Sequence, residues 1–147
     1  MNKYGIFYGF WTEQWGGGLE YFKIYLSKAD GLGFDILELN CDFLMELSKS
    51  ERKELSEEAR VREIDLTFNT NLNEKNDISS DKYEVRERGV EHLKKCLELI
   101  NEIGGEILTG VTYGPWSDVK VWRDLVGDRT LDEEAKKSLE FLRERIG

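Results

Sequence analysis

Proline is almost absent: Pro115 is the only one among 147 residues, so no proline-rich linker divides the chain, and a single domain is the expectation at this length. Cysteine is scarce as well. Cys41 and Cys96, the only two, make no disulfide framework and no metal-ligand spacing, which suits a reducing compartment. Histidine occurs once, at His92. No stretch approaches the roughly 20 apolar residues that span a bilayer, and the N-terminus lacks the basic-then-apolar order of a secretory signal. The expectation is a cytoplasmic protein with no membrane partner. Positive charge is in deficit, with 21 Lys and Arg against 30 Asp and Glu and a formal net charge of -9. That balance argues against nucleic acid as a partner.

What the chain does have is 39% hydrophobic and 12% aromatic residues, the composition of a folded globular protein. Short apolar runs alternate with longer amphipathic stretches, as in βα units around a parallel sheet. Four runs predict strands: Tyr4 to Phe10, Asp35 to Leu39, Ile64 to Thr70 and Glu106 to Thr112. A first helix is predicted from Leu19 to Ala29, with Leu19, Phe22, Ile24 and Leu26 as its apolar positions and Gly31 and Gly33 at its close. A second opens on Ser48 and Glu51 at capping-box spacing and continues through Leu55, Ala59 and Val61. The third follows the polar loop Asn71 to Ser80 and runs to Ile103, with Val85, Val90, Leu93, Leu97 and Ile100 spaced for one buried face and Gly104 as its stop. Beyond Trp116 the strands cease, and two helices are predicted, around Asp118 to Leu125 and Leu131 to Ile146. The reading is therefore α/β, (βα)3β followed by two C-terminal helices.

Three separated motifs, NKYGIFYGFWTEQW at the N-terminus, LGFDILEL at the second strand and GVTYGPW after the fourth, resemble the ketose 3-epimerases, the family that includes the D-tagatose and D-psicose (D-allulose) 3-epimerases. The closing SDVKVWRDL and LDEEAKKSLEFLRERI resemble the end of the same family's chains. Complete members are (β/α)8 barrels, which take about 250 residues. The resemblance thus implies a partial, half TIM-type barrel over residues 1–116 and a C-terminal helical segment over 117–147, with the central part of the barrel missing.

In that family a divalent metal, usually manganese, is held by a Glu, an Asp, a His and a second Glu from the later strands, and two glutamates exchange a proton at C3 of a ketose. A metal that polarises the carbonyl and two positioned carboxylates suit that chemistry. None of the four ligands can be placed in this sequence, so no metal is expected for this chain. His92 falls in the middle of the third helix rather than at a strand end, and reads as an ordinary helix-surface residue.

What the resemblance does place here is one wall of a sugar pocket. Phe7, Trp15, Val111 and Trp116 match family positions that line the substrate cavity, where flat aromatic faces pack against the C–H face of a sugar. Phe7 reads equally well as barrel core. Trp15 follows Thr12, Glu13 and Gln14 and precedes three glycines, a loop setting that core filling explains less easily. Glu38 is a further site candidate, because alternation turns it away from Leu37 and Leu39 towards the barrel interior or rim. Cys41 reads as a small buried hydrophobe, the glycines at 16–18 as a flexible loop, and KSERKELSEEARVRE as a solvated helix face.

A four-stranded half barrel leaves two sheet edges and an inner face to be covered. The C-terminal helices folding across it, or a homodimer closing the open half-barrel, would each serve. The functional expectation is a ketose 3-epimerase-like protein, inactive as this chain. The alternative is a non-catalytic sugar-binding or interaction module that pairs with itself or with a full-length relative, with a small-molecule ketose as ligand.

Overall fold

A computed structural model describes residues 2–12, 18–112 and 114. The two helices expected at 118–125 and 131–146, and with them Trp15 and Trp116, lie outside the described residues. The chain divides into two compact units, Met1–Thr70 with Lys95–Thr109, and Asn71–Lys94 with Gly110–Gly147.

The first unit holds one parallel sheet, in the order β1 (Gly5–Phe7), β2 (Ile36–Asn40), β3 (Asp65–Asn69) and β4 (Leu108–Thr109). Parallel neighbours need a crossover, and each has one: α1 (Leu19–Gly31) leads to β2, α2 (Cys41–Glu46) and α3 (Lys49–Val61) to β3, and α4 (Tyr83–Glu102) to β4. This is the (βα)3β order expected from the alternation of apolar runs.

Local chemistry sets the helix ends. Ser48 and Glu51 form a reciprocal capping box on α3, with Ser48 N donating to Glu51 Oε2 at 2.7 Å. At the far end of α1, Gly33 takes φ +78°, its N–H donates to Asp30 O at 2.9 Å and Phe34 N–H to Ala29 O at 3.0 Å, the pattern of a Schellman cap. Of the two glycines that predicted this stop, Gly33 sits where the left-handed backbone needs it, while Gly31 is the last residue of α1.

Among the described residues, the fully buried strand side chains of the core lie on one face of the sheet. Leu37, Leu39 and Phe68 are fully buried on the side facing the helices, together with Phe22, Leu26, Leu44, Leu55 and Cys96. Burying each such side chain contributes on the order of 1.5–3 kcal/mol. Alternation puts Phe7, Glu38, Thr67 and Asn69 on the other, inner face.

The structure departs from expectation in four places. The first strand ends at Phe7, because Tyr8–Phe10 turns into a short 3-10 helix that draws Tyr8 fully into the core, edge-on to Phe7 at 4.7 Å and to Phe43 at 6.0 Å. On α1 Tyr25 is buried and Ile24 half-exposed. On α4 the buried row in the first unit is Cys96, Leu99, Ile100 and Ile103, while Leu97 is 54% exposed; the i, i+3, i+4, i+7 spacing of that row excludes Leu97. Finally, α2 was not predicted.

In the second unit, the loop between β3 and α4 is organised by its own polar side chains. Ser79 donates from both N and Oγ to Asp77 Oδ1, at 2.8 and 2.7 Å, and Asn73 N donates to Asn76 Oδ1 at 2.7 Å. Gly89 of α4 lies so close to this loop that an added Cβ would come 2.2 Å from Asn76 O.

Candidate functional site

Barrel enzymes place their chemistry at the C-terminal ends of the strands and on the inward-facing side chains below them. In the first unit that surface is the inner sheet face. Strand register sets Phe7, Glu38 and Thr67 in one row across β1, β2 and β3, and Asn40, Asn69 and Thr109 in the next row towards the C-terminal ends of β2, β3 and β4.

Glu38 is the hub of this face. Asn69 Nδ2 donates to its Oε1 at 3.0 Å, and Thr109 Oγ1 to its Oε2 at 3.3 Å. One carboxylate therefore ties β2 to β3 and to β4, and both of its oxygens have partners. Asn69 is 7% exposed, so its amide would carry a substantial desolvation cost without such a partner. Phe7, half-buried, lies beside Glu38 in register, and the two help to line a recess of about 320 Å³ with Gly5, Ile36, Thr67 and Ile107. At the C-terminal end of β1, burial pushes the Tyr8 phenol up to about 12, with Tyr25 and Asp42 adding to the effect.

A larger recess of about 420 Å³, lined among others by Ser56, Arg60, Asp65, Ile103 and Glu106, lies at the N-terminal ends of the strands. Residues at that end of a barrel support stability rather than chemistry.

Of the residues singled out from sequence, Phe7 and Glu38 are brought together. Val111 belongs to the second unit, where its N–H donates to Asn71 Oδ1 at 3.0 Å and its carbonyl accepts from Leu72 N at 3.0 Å. Trp15 and Trp116 fall outside the described residues. His92 lies within α4 and is half-buried rather than a plain surface residue. Sequence reasoning missed Asn69 and Thr109 as partners of Glu38. The signal was present: in IDLTFNT the polar Thr67 and Asn69 alternate with Leu66 and Phe68, the period of a strand with one polar face.

The inner face was tested against the manganese that the family resemblance implies. A hard divalent ion wants several oxygen or imidazole donors converging with lone pairs to spare. Among the described residues of this face Glu38 is the acid at the centre, and both its oxygens accept hydrogen bonds from Asn69 and Thr109. Asp65, at the far end of β3, is ion-paired with Lys3. The described residues of this inner face do not fit that metal.

No protein-family profile matches the chain, but individual proteins do. A D-psicose 3-epimerase of Enterocloster bolteae is 31% identical over 130 residues, 86% of this chain and 42% of that protein. One from Ruminiclostridium cellulolyticum is 26% identical over 146 residues, 99% of this chain and 49% of its own length. The chain therefore spans about half the length of the curated relatives it matches. Among solved structures, D-psicose 3-epimerase with D-tagatose from Clostridium cellulolyticum superposes with a TM-score of 0.76 at 26% identity, over 97% of this chain and 47% of that one. A D-psicose 3-epimerase solved in the presence of D-fructose superposes at 0.75 with 22% identity, over 97% of this chain and 47% of its own, a likeness of fold. The parallel sheet of the first unit and its crossover helices match the N-terminal part of these barrels. By sequence and by fold, the chain is a relative of the ketose 3-epimerases over about half of their length.

Proposed function

We propose that this chain is a ketose 3-epimerase-like protein that contributes one wall of a ketose pocket and does not turn the sugar over by itself. The observation that carries this reading is the inner face, where Phe7 stands in register with Glu38 and the latter is held from both sides by Asn69 and Thr109. An apolar ring beside a fixed carboxylate suits a sugar, which offers a C–H face to the ring and hydroxyl donors to the acid. Trp15, Val111 and Trp116 match substrate-lining positions by family resemblance. Turnover at C3 needs a metal and two opposed carboxylates, and the described inner face offers neither a ligand set for that metal nor a second carboxylate opposed to Glu38. The sheet's inner face and its β1 and β4 edges are covered, in this proposal, by a second copy of the chain closing a barrel-like dimer.

Two assays on one preparation test this. Titration with D-tagatose and D-fructose, followed by calorimetry, should give saturable binding that falls at least tenfold in Trp15→Ala. Incubation of the same sugars with the chain and added manganese should leave the C3 configuration unchanged. Metal-dependent epimerisation in material free of host enzyme would overturn the proposal, as would the absence of any saturable ketose binding.

A further inference from the structure

On the inner face of the sheet, one amide has its orientation dictated by its neighbour. Asn69 is the last residue of β3, with Asn40 of β2 and Thr109 of β4 in register on either side. Only 7% of its surface is exposed. Its Nδ2 donates to Glu38 Oε1 at 3.0 Å, while Thr109 Oγ1 donates to the other carboxylate oxygen at 3.3 Å. An ionised carboxylate accepts hydrogen bonds and donates none. Asn69 must therefore turn its NH2 group towards Glu38 and keep its carbonyl oxygen for another partner. Among the described residues, none donates to that Oδ1.

A bare carbonyl on a residue more than nine-tenths buried is costly, because the group has left water without replacing the bond it had there. Whatever satisfies it must be a hydrogen-bond donor, since Oδ1 can only accept. That donor must also reach the C-terminal end of the inner face, where Asn69 stands one same-face row beyond Phe7, Glu38 and Thr67. Such rows are about 7 Å apart, a step that a monosaccharide lying with its C–H face on Phe7 spans with its hydroxyls. A sugar hydroxyl is a donor of the right kind, and it is held here by a group whose alternative, flipped orientation Glu38 forbids.

We propose that Asn69 is a specificity-determining residue of this face: its Oδ1 accepts one hydroxyl of a bound ketose, and Glu38 is the positioning residue that makes the amide present an acceptor and not a donor. The inference rests on the reading of this face as one wall of a ketose pocket. It assigns the direct polar contact to Asn69, with the carboxylate acting through it.

Calorimetric titration of the full chain with D-tagatose and D-fructose tests this in the parent and in two variants. Asn69→Ala should weaken ketose binding at least fivefold. Glu38→Gln should weaken it about two- to threefold, because a glutamine amide accepts either orientation of Asn69 and so releases the constraint. Since either change can disturb the packing of the sheet, a second measurement uses the unmodified chain. In a carbon-13-labelled sample, the side-chain carbonyl resonance of Asn69 should shift as ketose is added and saturate with the calorimetric binding curve. Saturable ketose binding with that resonance unmoved, or with affinity unchanged in Asn69→Ala, would overturn the role of Asn69 and leave the pocket reading standing. Absence of any saturable ketose binding by the parent chain would instead sink the pocket reading, and this inference with it.

Discussion

Asn69 and Glu38 meet across the inner face of the sheet, the amide of one donating to the carboxylate of the other at 3.0 Å. They occupy different rows, since Asn69 is in register with Asn40 and Glu38 with Thr67. The bond therefore runs diagonally between β2 and β3. A hydrogen bond to a charged acceptor is worth roughly 1.5–3 kcal/mol when well buried, and less at a half-buried acid. Asn69→Ala should lower unfolding stability by about 1–2 kcal/mol in urea titrations. The double-mutant cycle with Glu38→Ala should return a coupling of about 1 kcal/mol. Additive effects would mean that the two side chains do not support each other.

The capping box of α3 gives a pH signature. Hydrogen bonds from the Ser48 side chain and backbone hold the Glu51 carboxyl below its ordinary value of 4.5. A carboxyl depressed in the folded state stabilises above its unfolded pKa, and that stability is lost as pH falls through the folded one. Ser48→Ala should cost about 1 kcal/mol near neutrality. The difference from the parent chain should shrink as pH is lowered from about 4.5, measured by thermal unfolding at a series of pH values.

Tyr8 predicts the opposite limb. Its phenol, fully buried, is raised from 10.0 to about 12, first by burial and then by Tyr25 and Asp42. A group whose folded pKa is raised stabilises fully below the unfolded value and loses that contribution as pH climbs towards the folded one. Stability should therefore decline between pH 10 and about 12, by up to about 2 kcal/mol from this group. In Tyr8→Phe that part of the alkaline slope should vanish. An unchanged slope would assign it to other groups.

Two glycines should respond in opposite directions to alanine. At Gly89 a Cβ would lie 2.2 Å from Asn76 O and 2.7 Å from Ile78 Cγ2, so backbone must move. Gly89→Ala should destabilise by about 1–3 kcal/mol and expose the 71–82 loop to limited proteolysis. At Gly31, in the last turn of α1, no atom lies within 4 Å of the added Cβ. Gly31→Ala should stabilise by about 0.5–1 kcal/mol.

Much of the fold was legible because its signals are local. The capping box at Ser48 and Glu51 and the glycine stops at Gly33 and Gly104 each act within a few residues, and the structure has them as read. The six-residue α2, CDFLME, escaped because two turns carry too little periodicity to separate a helix from a loop. Tyr8 was assigned to a strand because its neighbours are apolar. Its departure into a 3-10 turn depends on Phe7 and Phe43, and Phe43 lies 35 positions further on. At the site, alternation alone turned Glu38 away from Leu37 and Leu39, while its partners could not be named until the register of β3 and β4 was known.

The order of apolar runs, the caps and the alternation within strands determined on their own that this chain makes parallel βα units with one polar sheet face, since those preferences act over one or two turns of backbone. Which polar groups meet was decided only in three dimensions. Glu38 finds Asn69 31 positions away and Thr109 71 positions away, and Cys41 finds Cys96 through the packing of α4. Such pairings follow from crossovers and strand register, which close over distances at which a single sequence carries no pattern.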